Sequence, residues 1–193
     1  AALEDCLAAW RGLQNAAAEL KIDPARVAVG GQSAGGGLAA SLAQRLYDAG
    51  GVQPAAQWLF CPMLDDRTAA RRELDEINHF VWNNRDNRTG WRAYLGTEPG
   101  AEQVPDYAVP ARRSELHGLP PAWIGIGDID LFFDEDRTYA ERLTTAGVDC
   151  TLDVAAGAPH GFEKIAPNTT LTRDYLSRAR EWLGQKFAEL RGS

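Results

Sequence analysis

The chain has 193 residues, of which 45% are hydrophobic and 24% are charged, and its formal net charge is −7. This length and composition fit one soluble globular domain. The acidic excess argues against nucleic acid or an anionic membrane as a partner, and no apolar run reaches transmembrane length. Three widely separated cysteines, an odd number, indicate free thiols and a reducing, cytoplasmic compartment.

The predicted elements alternate between helix and strand along the chain. Apolar residues recur at helical spacing over residues 1–20 and again over 171–190, where an amphipathic helix closes the chain. Short apolar runs predict four strands, at 27–31, 56–61, 122–127 and 150–154. Strands that alternate with helices predict an α/β fold with a mostly parallel sheet between two helical layers.

Ser33 lies between glycines at the point where the first predicted strand passes into a helix. The segment Gly31-Gln32-Ser33-Ala34-Gly35 has the pattern GxSxG, and an alanine-rich helical sequence follows it. This pattern is typical of a nucleophile elbow, in which the serine lies on a strained turn. We expect both Gly31 and Gly35 to be required, because side chains there would collide with neighbouring backbone.

A nucleophilic serine needs a base to accept its proton and an acid to orient that base. His160 is the candidate base, because it lies in a turn-rich segment after the strand predicted at 150–154. A histidine in that position reaches the carboxyl edge of a parallel sheet. The other two histidines, His79 and His117, are interpreted as a packed and a surface residue.

The acid is expected after the strand predicted at 122–127, in the chain order serine, acid, histidine. Local reasoning leaves Asp128 and Asp130 open, although Asp130 lies further out in the loop, beside apolar residues. Asp134 is interpreted as a helix N-cap, and Glu135 and Asp136 as acids at the positive end of that helix dipole.

These motifs resemble the hormone-sensitive-lipase-like branch of the α/β-hydrolases, whose bacterial members are carboxylesterases. Residues 23–36 are similar to the family's elbow, and residues 159–162 are similar to its histidine turn. The family's acid motif falls on residues 130–135, which implies that Asp130 is the acid. Gln32 stands where the family commonly has an acid, and we expect this difference to change local hydrogen bonding without removing the nucleophile.

The family's HGGG-type motif, whose backbone N–H groups form half of the oxyanion hole, does not occur in this sequence. The resemblance therefore implies the C-terminal portion of such an enzyme, with the Ala34 N–H as one oxyanion donor and the other donors elsewhere. Residues 1–193 are expected to form a single, partial α/β-hydrolase domain. Residues 63–100 are a candidate lid or cap insertion, because the alternation of strand and helix breaks there.

The candidate substrate-binding residues are Gln32, Trp82 and Phe162. Trp82, with Phe80 and Val81, is expected either to line an acyl or alcohol pocket or to pack on the sheet. No cofactor is expected. No metal site is expected either, because no pair of cysteines or histidines has the spacing of metal ligands.

The predicted function is hydrolysis of carboxylic esters with short to medium acyl chains, through an acyl-enzyme on Ser33 with His160 and Asp130. The partner is then a small-molecule ester. A homo-oligomer is a candidate assembly, because the last strand of such a sheet offers an edge for pairing. Two alternatives stay open: a catalytically inactive fragment, and a non-catalytic ligand-binding protein on the same fold.

Overall fold

The computed structural model describes residues 2–190 and contains the predicted parallel sheet. Its four strands are β1 (Val29–Gln32), β2 (Gln57–Phe60), β3 (Ala122–Gly127) and β4 (Cys150–Ala155). They lie side by side in chain order, and all three strand pairs are parallel. The α/β fold is therefore confirmed, and each predicted strand lies within two residues of its expected position.

Helices follow or precede each strand. They are α1 (Ala2–Asn15), α2 (Ala17–Leu20), α3 (Ala34–Ala49), α4 (Asp66–Ala70), α5 (Asn84–Leu95), α6 (Phe133–Thr145), α7 (Phe162–Ile165) and α8 (Thr170–Glu189), with 3₁₀ turns at Arg72–Glu76 and Pro110–Arg112. Among residues 2–190, no helix combines the length and apolar character that a membrane crossing requires.

The side-chain alternation of the strands divides the core between the two faces of the sheet. Leu59 and Ile124 point to one face, where they pack with buried residues of α1, α3 and α6. Trp123 points to the other face and packs with Tyr175 and Ala179 of α8. The sheet is therefore covered on both sides, as the three-layer prediction requires.

Residues 63–95 pack over the carboxyl end of the sheet. Trp91 and Leu95 of α5 are buried there together with Ile126 of β3 and Phe132 of the loop that follows it. This segment is the larger part of the candidate lid at 63–100. It lies at the end of the sheet where ligands bind in open α/β folds, and the assignment as a lid stays a prediction.

The first turn of α6 differs from the sequence-based prediction. The helix begins at Phe133, after the N-cap residue Phe132, so Asp134 lies inside the helix and is not its N-cap. Glu135 and Asp136 lie in the first turn, as expected for acids at the positive end of the helix dipole, but they are only 6% and 0% exposed. Local sequence suggested a polar cap two residues later, whereas the apolar residues Leu131 and Phe132 are buried in the core and the helix starts sooner.

Candidate active site

Ser33 occupies a strained turn between β1 and α3. Its backbone has φ 55° and ψ −123°, a conformation that non-glycine residues rarely adopt. The Ser33 N–H donates to the Phe60 carbonyl at 2.9 Å, and the Ser33 carbonyl accepts from the Met63 N–H at 3.0 Å. The segment at the end of β2 therefore holds this turn from both sides, which fixes the backbone that carries the hydroxyl.

The glycines around Ser33 have different roles. A Cβ at Gly31 would collide with the carbonyl of Gly35, so the expectation for Gly31 is confirmed. The expectation for Gly35 is wrong, because a Cβ there would meet no heavy atom within 4 Å beyond its own helix. Crowding falls on the next two residues instead: a Cβ at Gly36 would lie 2.8 Å from the Pro62 Cβ, and one at Gly37 would collide with the Met63 carbonyl.

His160 connects Ser33 to Asp130. Its Nε2 lies 3.0 Å from the Ser33 Oγ, and its Nδ1 lies 2.8 Å from the Asp130 Oδ2. The second oxygen of the Asp130 carboxylate accepts from the Phe132 N–H at 2.9 Å. The histidine and aspartate side chains are 9% and 0% exposed. The structure thus brings together the three residues that the sequence singled out.

Asp128, the rival acid, lies elsewhere. Its carboxylate is exposed and accepts a hydrogen bond from the Gly157 N–H at 2.6 Å. That bond ties the loop after β3 to the loop after β4 and leaves the imidazole of His160 to Asp130. Local sequence did not separate these two aspartates, whereas the fold does.

Aromatic rings surround the imidazole of His160. The ring of Phe132 meets it edge-on with a centroid distance of 5.3 Å, and the ring of Trp82 lies 6.4 Å away. Both rings are apolar and limit the access of water to the bond between His160 and Asp130. A drier environment strengthens such hydrogen bonds.

A cavity of about 340 Å³ opens beside Ser33. Its walls include Met63, Trp82, Trp91 and Tyr94. Trp82 therefore lines a cavity next to the serine, as one of its two predicted placements requires. Phe80 and Val81, for which the same two placements were predicted, are exposed instead, at 66% and 51%.

Ala34 borders the same cavity. As the first residue of α3, it has a backbone N–H without an acceptor inside the helix. Such an N–H at a helix N-terminus favours negative charge. Its place next to Ser33 suits the predicted oxyanion donor.

Gln32 and Phe162 are not among the described residues that line this cavity. Phe162 is buried in the core, where its ring packs against Tyr175 with a centroid distance of 4.9 Å. The Gln32 side chain donates a hydrogen bond to Glu163. Gln32 directly precedes Ser33, and Phe162 lies two residues after His160, so their contacts hold the turns that carry the triad. Neither residue lines the cavity, and their predicted role in substrate binding stays a prediction.

Sequence reasoning missed Cys61, which lies beside the triad. One ligand atom each from Cys61, Asp130 and His160 lies within 4.8 Å of the others, the only such cluster of potential metal ligands in residues 2–190. Burial, followed by the negative charge of Asp130, raises the pKa of the Cys61 thiol far above its ordinary value. Asp130 and His160 already bond to each other, so this donor set suits proton transfer along the triad better than a metal.

Two acids at the start of α6 are buried, and one of them supports the turn of chain that follows β2. Oε1 of Glu135 accepts hydrogen bonds from the N–H groups of Leu64 and Asp65, at 2.8 and 3.0 Å. Burial raises the pKa of Glu135 to about 8 and raises that of Asp136 well above its ordinary value. The sequence signal for these residues was their helical spacing from Tyr139 and Ala140, which the high local charge obscured.

A serine on a strained strand-to-helix turn, linked through a histidine to an aspartate at the carboxyl edge of a parallel sheet, is the arrangement of the α/β hydrolases. Residues 1–164 match the profile of a family described as alpha/beta hydrolase fold. The chain belongs to this family.

Curated relatives include two proteins of Mycobacterium tuberculosis H37Rv. The chain is 33% identical over 181 residues to the carboxylesterase NlhH, an alignment that covers 86% of this chain and 52% of that protein. It is 36% identical over 169 residues to the carboxylic ester hydrolase LipN, with coverage of 84% and 44%. The chain therefore spans about half the length of these relatives.

Solved structures agree with this assignment. A bacterial heroin esterase has a TM-score of 0.90 and 36% identity, over 96% of this chain and 59% of that one. An esterase from the bacterial hormone-sensitive lipase family has a TM-score of 0.80 and 30% identity, over 96% and 60%. The resemblance to the hormone-sensitive-lipase-like branch is confirmed.

Proposed function

We propose that this chain carries the catalytic triad of a carboxylesterase, formed by Ser33, His160 and Asp130. The observation that supports the proposal is the pair of hydrogen bonds on the His160 imidazole, 3.0 Å to the serine and 2.8 Å to the aspartate. This geometry places a proton acceptor on the nucleophile and a fixed acceptor on the opposite ring nitrogen. The names of the relatives support esters as the substrate class.

The reaction proceeds in two halves. The Ser33 Oγ attacks the ester carbonyl while His160 Nε2 accepts the hydroxyl proton, and the same nitrogen then gives that proton to the leaving alcohol. Asp130 holds the Nδ1–H and stabilises the imidazolium. In the second half, His160 takes a proton from water, the resulting hydroxide attacks the acyl group, and Ser33 is released with its proton restored.

The Ala34 N–H is proposed as one donor to the oxyanion that forms on the substrate. In the family that the sequence resembles, further donors come from an HGGG-type segment, which this sequence does not contain. Each missing oxyanion donor lowers turnover by about 10²- to 10³-fold. We therefore expect full activity only where polypeptide that carries those donors completes the site.

Short to medium acyl esters are the proposed substrates, with residues 63–100 as the lid. A cavity of about 340 Å³ suits a small apolar group beside the serine. Two further relatives agree with a short acyl chain: an acetyl-hydrolase of Streptomyces hygroscopicus, 34% identical over 155 residues, and an ethyl acetate hydrolase of Pseudomonas putida, 30% identical over 165.

Hydrolysis of p-nitrophenyl butyrate tests the proposal. The Ser33→Ala variant is compared with Ser177→Ala, a matched loss of an exposed hydroxyl on α8. We expect Ser33→Ala to lose turnover by at least about 10³-fold, because the nucleophile is gone, and Ser177→Ala to match the unaltered chain. An unaltered chain that neither exceeds Ser33→Ala in turnover nor reacts with a fluorophosphonate at Ser33 contradicts the proposal and favours the inactive alternative.

A further inference from the structure

Gln32 and Glu163 join two turns of the site that are far apart in the sequence. The Gln32 side-chain amide donates a hydrogen bond from Nε2 to Oε1 of Glu163, across a sequence separation of 131 residues. Gln32 immediately precedes Ser33, and Glu163 follows three residues after His160. This bond is a second connection between the serine turn and the histidine turn, in addition to the triad.

The histidine turn has anchors on two sides. Phe162 is 6% exposed and packs against Tyr175 in the core of the sheet face that α8 covers. Glu163, the next residue, is half-buried and reaches the end of β1 through Gln32. Phe162 therefore fixes the turn to the core, and Glu163 fixes it to the strand that carries the nucleophile.

Gly161 brings the backbone of the histidine turn close to the Gln32 amide. Its φ is 62°, and a Cβ at this position would lie 3.3 Å from Gln32 Nε2. The amide nitrogen thus packs next to the residue that directly follows His160 while it bonds to Glu163. A shift of this amide would be transmitted to the peptide that positions the imidazole.

The chemistry of the pair explains why an amide stands at position 32. A carboxylate there would face the carboxylate of Glu163 at hydrogen-bond distance, and two like charges so close do not both remain ionised. Two ionised carboxylates would leave the contact without a donor, because an ionised carboxylate only accepts, so one acid would have to take up a proton to restore the bond. Gln32 supplies the N–H that Glu163 needs, and the reverse order of amide and acid would give the same single bond.

We propose that Gln32 and Glu163 are a matched pair of positioning residues that hold His160 Nε2 within hydrogen-bond distance of the Ser33 hydroxyl. The pair does not touch the reacting atoms and acts through the turn that carries His160. The inference rests on the proposed function in one respect, namely that Ser33 is the nucleophile.

A reciprocal exchange tests the pair. The variants are Gln32→Glu, Glu163→Gln and the double variant Q32E/E163Q, with Glu141→Gln on the exposed face of α6 as a control for the loss of a carboxylate. The first measurement is the rate at which a fluorophosphonate probe modifies Ser33. The second is the downfield proton resonance of His160 Nδ1–H, which reports its bond to Asp130 and does not depend on turnover.

Gln32→Glu is expected to slow the labelling of Ser33 by about tenfold and to weaken the Nδ1–H resonance, because the two acids repel each other. Glu163→Gln keeps an acceptor oxygen and should stay within about threefold of the unaltered chain. The double variant restores one amide and one acid and should return to within about threefold as well. The control should not change either measurement.

The proposed positioning role is wrong if Ser33 is labelled as fast in Gln32→Glu as in the unaltered chain. It is also wrong if the double variant is labelled no faster than Gln32→Glu alone. The proposed function fails separately, if the unaltered chain is labelled no faster than Ser33→Ala. In that case the Nδ1–H resonance of His160 tests the positioning role of Gln32 and Glu163. Loss of the resonance in Gln32→Glu and its return in the double variant support this role. The same resonance in every variant contradicts it.

Discussion

The carboxylates of Asp128 and Asp130 accept different hydrogen bonds although the residues are two positions apart. Asp130 is buried, and its carboxylate bonds to the His160 ring and to the Phe132 N–H. Asp128 is exposed, and its carboxylate accepts from the Gly157 N–H. The distinction arises from tertiary structure, because only the packing of the loop after β3 decides which side chain turns toward the histidine.

Replacement of the two aspartates by asparagine separates their roles. Asp130→Asn is expected to lower the kcat for p-nitrophenyl butyrate by about 10³- to 10⁴-fold, because an amide no longer fixes the imidazole tautomer that accepts the serine proton. Asp128→Asn keeps an acceptor for Gly157 and should remain within about threefold. Equal losses in the two variants, measured on folded protein, would refute the assignment of the acid.

Gly31 and Gly35 make a second contrast at the level of single residues. A methyl group at Gly31 would meet the Gly35 carbonyl, so Gly31→Ala is expected to lower the free energy of unfolding by about 2 kcal/mol or more. Gly35 lies in α3, and a Cβ at this position would meet open space. Gly35→Ala should therefore raise the free energy of unfolding by about 0.5–1 kcal/mol through helix propensity. Urea unfolding of both variants measures the difference, and a destabilised Gly35→Ala would show that crowding there was underestimated.

The sequence predicts Ser33 and His160 because each lies in a short motif whose neighbours are adjacent in the chain. It does not predict the bond from Gln32 to Glu163, since the partners are separated by 131 residues and neither residue type demands the other. From the sequence, Gln32 was notable only because the family commonly has an acid at this position before the serine. The partner becomes visible when the fold brings the turns after β1 and β4 together.

Among the secondary-structure elements, strands were easier to predict than helix ends. Buried strands are short apolar runs bounded by turn residues, and β3 occupies the range predicted for it, 122–127. The start of α6 was misplaced because Asp134, Glu135 and Asp136 look like capping acids. Glu135 and Asp136 are nevertheless buried, and the burial of Glu135 depends on the packing of α6 against the segment after β2, which no local pattern contains.

The first turn of α6 makes stability depend on pH. The pKa of Glu135 is about 8 in the folded protein, above its ordinary value, so the folded state retains a proton that the unfolded state releases. The free energy of unfolding should therefore fall as the pH rises from about 5 to about 8. Glu135→Gln removes this titration and should flatten the fall.

Urea unfolding at pH 5 and pH 8 measures this effect. Glu141→Gln, on the exposed side of the same helix, is the matched control and should keep the full fall in stability. Asp136, whose pKa is also raised by burial, accounts for any fall that remains in Glu135→Gln. The explanation is wrong if Glu135→Gln and the unaltered chain lose the same free energy between the two pH values.

At the scale of the whole sheet, β1 is an edge strand within the part of the chain that the structure describes. Among residues 2–190 it pairs only with β2, and a groove of about 410 Å³ runs beside it, lined by apolar residues that include Trp10, Leu13 and Leu38. An unpaired strand edge next to an apolar surface favours association with another chain.

We therefore expect the mass measured by size-exclusion chromatography with light scattering to rise with protein concentration. Leu13→Lys places a charge in the groove and should reduce this association. Leu20→Lys, at a position that is 53% exposed and is not one of the groove-lining residues, should not reduce it. A single-chain mass at every concentration would show that the edge is protected in solution.

The central claim is that Ser33 is a nucleophile activated by His160, and peptide mass spectrometry after reaction with a fluorophosphonate tests it most directly. We predict one adduct per chain, on the peptide that contains Ser33, and its absence from His160→Ala under the same conditions. An adduct on another residue, or equal labelling of Ser33 in His160→Ala, would contradict the claim.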